Sequence, residues 1–117
     1  MNHEKAISFL KTIRRGVYGA LITSDYVVDE TLTLLRINHG VVPALKFLDK
    51  IRRSKSIKIV WVDETVFNVA CEYFKKNEGL KRSFTDCTSF AIMKLLEIKH
   101  AFTFDKNFEE AGFVKLP

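Results

Sequence analysis

The chain has 117 residues, of which 47% are hydrophobic and 28% are charged, and its formal net charge is +5. This length and composition fit one globular domain over residues 1–117 and exclude a disordered chain. The basic balance favours an anionic partner without identifying one. Its two cysteines have no metal-type spacing and indicate buried thiols. Neither a signal peptide nor an apolar run of about 20 residues is present, so the sequence predicts a soluble, cytoplasmic protein.

Helical and extended patterns alternate along the chain. The spacing of Ala6, Phe9, Leu10 and Ile13 predicts a first helix, which Gly16 ends. The later predicted elements are a strand over 20–23, helices over 25–37 and 43–53, a strand over 57–62, a helix that begins after residue 63, a helix from 83 to 98, a strand over 101–104 and an edge strand over 114–116. Apolar strands separated by helices are typical of an α/β fold with a parallel sheet.

Each buried strand of this pattern leads into an acid. Asp25, Asp63 and Asp105 follow the three strands, and a parallel sheet would place them at one edge, where ligands bind. Helix capping also favours Asp at these positions, so the pattern has two explanations. Trp61, inside the second strand, is assigned to the core.

Two further acids lie on predicted helices. Glu30 is close to the margin of an apolar face, and a carboxylate there must be hydrogen-bonded, protonated or bound to a cation. Asp86 stands three residues after Ser83, which is the spacing of a capping box. Asp105 could similarly be a turn-forming residue. The residue pattern leaves capping and chemistry open for these acids.

Three segments in chain order resemble the motif series of the PIN-domain nucleases, the family that includes the VapC-type toxin ribonucleases of prokaryotic toxin–antitoxin pairs. They are Ser24 with Glu30, Ser83-Phe84-Thr85-Asp86, and Thr103-Phe104-Asp105-Lys106-Asn107-Phe108. The resemblance implies that Glu30, Asp86 and Asp105 are catalytic and bind Mg²⁺ or Mn²⁺, with Thr103 and Asn107 in support. It also implies RNA as substrate and an antitoxin protein as a possible partner.

One feature departs from the family pattern. The family's first acid ends an N-terminal central strand, and the residues from His3 to Leu10 resemble the helix that follows it. The chain is therefore expected to begin on the order of 20–30 residues late, the size of a strand–helix unit. A sheet without that strand would expose edges that a second copy could cover, which predicts a homodimer or larger species.

A site with three acids predicts weaker metal binding and little or no cleavage by this chain alone. The alternative is a non-catalytic or truncated PIN-like module that binds RNA or a protein. A third possibility, a receiver-like α/β domain, needs an acidic pair after its first strand, which this chain lacks. The basic run from Lys46 to Lys58 is compatible with a solvated helix face or with an RNA contact.

Overall fold

The structure is a computed structural model that describes residues 12–14, 21–76, 82–102 and 107–116. Its elements are β1 (Thr12–Arg14), β2 (Leu21–Ser24), α1 (Asp25–His39), α2 (Val41–Arg53), β3 (Ile57–Val60), α3 (Glu64–Lys75), α4 (Phe84–Leu95), β4 (His100–Phe102), α5 (Asn107–Glu110) and β5 (Val114–Leu116). The predicted alternation is confirmed from residue 21 onward, with element ends displaced by a few residues.

The five strands form one sheet in the order β3-β2-β1-β4-β5. Two neighbouring pairs are parallel, β2 with β3 and β4 with β5, while β1 lies between them antiparallel to both. Since β2 and β4 both oppose β1, the strands β2, β3, β4 and β5 all point the same way. Their carboxyl ends therefore lie at one edge of the sheet, called the carboxyl edge below.

The central strand β1 corrects one prediction. Ile13 was expected in a helix, but it lies in β1, where it pairs with Ile22 on one side and Ala101 on the other. The remainder of that predicted helix lies outside the described residues. β-branched Thr12 and Ile13 suit extended backbone. Pairing with β1 also satisfies the backbone N–H and C=O groups of β2 and β4 that face it. The periodicity of the local sequence gives no sign of this requirement.

Helices α1 and α2 form a hairpin with a small core of its own. Ser24 caps α1, and its Oγ accepts the Val27 N–H at 3.1 Å. Gly40 connects the helices at φ 95°, a conformation in which a β-carbon would be strained. Leu35 and Ala44 are buried between them, with Leu32 packed alongside. Leu32 is only half-buried, and it packs within this hairpin rather than against the sheet.

Helix α4 is the centre of the main core. Eight consecutive residues, from Asp86 to Met93, are buried, so the helix is covered on every side. Phe90 is fully buried, with Tyr73 edge-on at 5.5 Å and Phe113 stacked at 5.8 Å between ring centroids. The two cysteines, both within the described ranges, are not joined in a disulfide. No helix of the described ranges combines the length and hydrophobicity that crossing a membrane requires.

Candidate functional site at the carboxyl edge

Three helices begin at the carboxyl edge. Helix α1 follows β2 directly, and α3 follows β3 after a three-residue segment. Helix α4 ends four residues before β4 begins, so its last turn lies near the opposite edge and its first turn near the carboxyl edge. Contacts confirm the arrangement, because the rings of Tyr26 on α1 and Phe67 on α3 both pack against Phe84, the first residue of α4.

Asp86 occupies the first turn of α4 and forms the predicted capping box. Its N–H donates to Ser83 Oγ at 3.0 Å, and its Oδ2 accepts the Ser83 N–H at 3.2 Å. The residue is also buried, with only 4% of its surface exposed. A cap functions equally well at the surface, whereas burial of a carboxylate is costly unless other groups stabilise it. Burial is therefore the property of Asp86 that capping alone leaves unexplained.

Glu30 lies on the side of α1 that faces α4. It stands four residues after Tyr26, and side chains at that spacing share one helix face. Tyr26 contacts Phe84 with 6.3 Å between ring centroids, and α1 packs against α4. Glu30 is half-buried, in agreement with its predicted place at the margin of the apolar face. Glu30 and Asp86 therefore lie on two helices that both begin at the carboxyl edge, and the close approach of their carboxylates stays a prediction.

The other predicted site residues are less fully described. Asp105 and Thr103 lie outside the described residues, and Asn107 begins α5. Within the described ranges, no three His, Cys, Asp or Glu side chains come close enough to hold a metal ion. The carboxylates of Glu30 and Asp86 are nevertheless the hard oxygen donors that Mg²⁺ and Mn²⁺ prefer. The donor chemistry fits such an ion, and the complete ligand set stays a prediction.

Asp25 has a structural role that the sequence did not indicate. Its Oδ1 accepts the Val62 N–H at 2.8 Å, which joins the start of α1 to the segment after β3. Asp63, by contrast, caps α3 as predicted and accepts the Val66 N–H at 2.9 Å. Because 37 positions separate Asp25 from Val62, no local pattern could have shown their contact.

Buried hydroxyl groups lie beside the two acids in sequence and were also missed. Thr31 follows Glu30, Ser89 lies one turn after Asp86, and Thr23 precedes the cap of α1. All three are almost wholly buried, and their hydroxyl oxygens have no hydrogen-bond partner within the described part of the chain. Buried polar groups are rarely left this way, and each exception needs an explanation, such as a catalytic role or a bound water or ion.

The basic run predicted as a possible RNA contact lies away from these acids. Lys50, Arg52 and Arg53 belong to the last turns of α2, and Lys58 is the second residue of β3. They therefore lie towards the amino end of β3, opposite the carboxyl edge. Their side chains are exposed, and Arg53 pairs with Asp49 at 3.0 Å. The placement supports the solvated-face interpretation over direct contact at the acid site.

Trp61 is not in the core, contrary to the prediction. Strand β3 ends at Val60, and Trp61 lies in the turn beyond it with 69% of its surface exposed. Its neighbours Val60 and Val62 are half-buried and pack against the main core. The apolar run forms a strand as predicted, but the strand ends two residues earlier than predicted, because the end of β3 depends on its pairing with β2.

In an open α/β sheet, ligands bind at the edge where the parallel strands end, and the helices that carry Glu30 and Asp86 both begin at that edge. The model of the PIN domain matches residues 2–114, which is nearly the whole chain. The chain belongs to the PIN-domain family, and the resemblance drawn from its motifs is confirmed.

Named relatives make the similarity more specific. The chain is 35% identical over 98 residues to the "23S rRNA-specific endonuclease VapC20" of two Mycobacterium tuberculosis strains, covering 82% of this chain and 72% of the relative. It is 30% identical over 109 residues to a "VapC ribonuclease" of Archaeoglobus fulgidus, covering 92% of this chain and 68% of the relative.

A solved structure agrees with these relatives. The crystal structure of Mycobacterium tuberculosis VapC20, described as a sarcin-ricin loop cleaving toxin, superposes with a TM-score of 0.75 at 34% identity. The superposition covers 83% of this chain and 74% of that one. The predicted PIN-like α/β fold is therefore confirmed.

Proposed function

We propose that the chain is a VapC-type ribonuclease that hydrolyses RNA phosphodiester bonds with Glu30, Asp86 and Asp105 as its catalytic carboxylates. The observation that carries this proposal is the buried carboxylate of Asp86, 4% exposed in the first turn of α4, which begins at the same edge of the sheet as the helix that carries Glu30. The relatives named as an rRNA endonuclease and a ribonuclease support RNA as the substrate. Asp105, after β4, completes the proposed set.

The same three carboxylates would hold a Mg²⁺ or Mn²⁺ ion. Such an ion supplies Lewis-acid stabilisation of charge on the phosphate and lowers the pKa of the attacking water. Asp86 contributes a carboxylate whose orientation is set by the Ser83 N–H. Glu30 contributes a second one from a different helix. Thr103 and Asn107 would orient the acids from the segment around Asp105, and no nucleophile from the protein is required.

RNA digestion tests the proposal. Wild-type protein is incubated with single-stranded RNA while Mg²⁺ or Mn²⁺ is titrated, with and without a chelator, beside Asp86→Asn. We expect weak cleavage at most, as a site with three acids predicts, and we expect the chelator and Asp86→Asn each to abolish it. The control Asp49→Asn removes the same charge from an exposed position on α2, paired with Arg53, and should cleave normally. Cleavage that survives both the chelator and Asp86→Asn would reject the metal mechanism.

The strength of cleavage is a separate question. The amino end of β1 lies at the carboxyl edge, where Thr12 pairs with Phe102, and the three residues of β1 include no acid. Three carboxylates bind a divalent cation more weakly than four, so cleavage should require a higher Mg²⁺ concentration than in a four-acid relative. RNA binding with no cleavage at any metal concentration would favour the alternative, a non-catalytic PIN-like module.

We also infer protein partners. The tip of the α1–α2 hairpin carries a group of exposed apolar side chains, which are Ile37, Val41, Val42 and Leu45. Exposed apolar groups of this kind favour association, and a homodimer or an antitoxin protein could cover them. Light scattering at increasing protein concentration should show a dimer or larger species. A monomer throughout the range would contradict self-association. A cytoplasmic location stays a prediction.

A further inference from the structure

The chain contains a single tryptophan, and it is exposed at the carboxyl edge. Trp61 keeps 69% of its surface accessible, although an indole is among the side chains with most to gain from burial. Exposed aromatic rings of this size mark binding sites more often than other exposed residues do. Its place beside the proposed ribonuclease site makes it the strongest feature that the three carboxylates leave unexplained.

Hydrogen bonds fix the backbone on the C-terminal side of Trp61. The next residue, Val62, donates its N–H to Asp25 Oδ1 at 2.8 Å, and Asp63 accepts the Val66 N–H at 2.9 Å. On the other side, Val60 pairs in register with Ser24 of β2. The indole therefore projects from a turn held to the start of α1. A ring on an immobilised turn loses little conformational freedom when a flat ligand stacks on it.

Trp61 lies at the same edge of the sheet as the start of the helix that carries Glu30. Asp25, whose carboxylate accepts the Val62 N–H of this turn, begins α1, and Glu30 lies five residues further along that helix. A base resting on Trp61 would therefore lie at the edge of the sheet where the proposed carboxylates are placed.

The local charge favours a nucleobase over other occupants. Asp63 and Glu64 are exposed immediately after the turn and would repel backbone phosphates, while the basic run lies towards the opposite edge. Stacking on an aromatic ring is open to any base, because every base has a π-face. A second copy of the chain is a poorer occupant, because the core of a protein interface is depleted of charged residues.

We propose that Trp61 stacks an unpaired nucleobase of the RNA substrate and so positions the strand at the carboxyl edge, where Glu30 and Asp86 are proposed to act. This inference rests on the proposed ribonuclease function and names its substrate as RNA with at least one unpaired base at this position. A base held in a duplex stack cannot offer its face to the indole, so fully paired RNA should bind less well.

Because the sequence contains one tryptophan, indole fluorescence reports whether a base is bound to Trp61. The Asp86→Asn protein, which should bind without cleaving, is titrated with a single-stranded oligoribonucleotide of about 10 nucleotides while indole fluorescence is recorded. The same RNA annealed to its complement is titrated in parallel. We expect the single strand to quench the fluorescence at saturation and the duplex to leave it nearly unchanged.

Substitutions in the same Asp86→Asn background measure the contribution of the ring. Trp61→Ala should weaken binding of the labelled single strand, followed by anisotropy, by about 5- to 150-fold, which corresponds to the loss of one stacked base. Trp61→Phe keeps a smaller ring and should lose less. The matched control is Leu95→Ala, which truncates an apolar side chain that is 45% exposed in the last turn of α4, towards the opposite edge of the sheet. It should bind as the parent does.

The possible outcomes distinguish this inference from the proposed ribonuclease function on which it rests. Unchanged RNA affinity in Trp61→Ala overturns the inference, even if the wild-type protein cleaves RNA. Quenching by the single strand together with weakened binding in Trp61→Ala supports it, even if no cleavage is found. Fluorescence that shifts with protein concentration and not with RNA would assign the ring to contact with a second copy, and would also overturn it.

Discussion

Asp86 combines a structural and a chemical role that substitution can separate. Asp86→Asn keeps an oxygen that can accept the Ser83 N–H, and it keeps the Asp86 N–H that donates to Ser83 Oγ at 3.0 Å. The cap should therefore survive while the negative charge is lost. Ser83→Ala does the reverse, because it removes the capping oxygen and leaves the carboxylate in place. A lost cap of this kind costs about 0.5–2 kcal/mol of unfolding free energy.

The length of the chain sets its unfolding entropy, which relates a change in unfolding free energy to a change in Tm. At about 2.1 cal/mol/K per residue, 117 residues unfold with an entropy of about 0.25 kcal/mol/K, so 1 kcal/mol moves the midpoint by about 4 °C. Ser83→Ala should thus lower Tm by about 2–8 °C, and Asp86→Asn by less than about 2 °C. A divalent cation at 100 times its Kd should add about 2.7 kcal/mol to the wild-type protein, or about 11 °C.

The assay is thermal unfolding followed by circular dichroism. It gives the Tm of the wild type, Ser83→Ala and Asp86→Asn, first with a chelator and then with increasing Mg²⁺ or Mn²⁺. We expect the wild type and Ser83→Ala to gain stability from the cation and Asp86→Asn to gain little. This readout does not depend on cleavage. If Asp86→Asn lost as much stability as Ser83→Ala, and no cation raised the Tm of the wild type, Asp86 would be only a helix cap.

Three further predictions concern the core, pH and the turn after β3. Phe90→Ala should cost about 3–5 kcal/mol in denaturant unfolding because the ring is fully buried, whereas Leu95→Ala, 45% exposed on the same helix, should cost much less. Burial raises the pKa of Tyr73 above its ordinary value of 10.0. The unfolded chain therefore loses this proton first, and stability should fall as the pH rises above about 10, less so in Tyr73→Phe. Asp25→Ala leaves the part-buried Val62 N–H without its acceptor and should cost about 1–3 kcal/mol, whereas a loss below about 0.5 kcal/mol would show that the hydrogen bond is not needed.

The sequence by itself determined the helices from α1 to α4, most strands and the family. Ser24, Asp63 and Ser83 each cap the predicted helix, because a cap depends on residues three positions away. The continuous apolar stretch of α4 is likewise typical of a helix that is buried on all sides. The order of the acidic motifs was sufficient to identify the PIN-domain family, which the family model then confirmed.

Only the tertiary structure decided what depends on distant partners. Ile13 fits a helical period, yet it lies in a central strand because β2 and β4 need a partner between them. Trp61 continues an apolar run, yet it is exposed because β3 stops where its pairing with β2 stops. The position of Asp25 at the start of a helix indicates an acid that stabilises the helix dipole, yet its carboxylate accepts the N–H of Val62, 37 positions away. Strand pairing and long-range hydrogen bonds join segments that local patterns treat separately, so their consequences are absent from any one stretch of sequence.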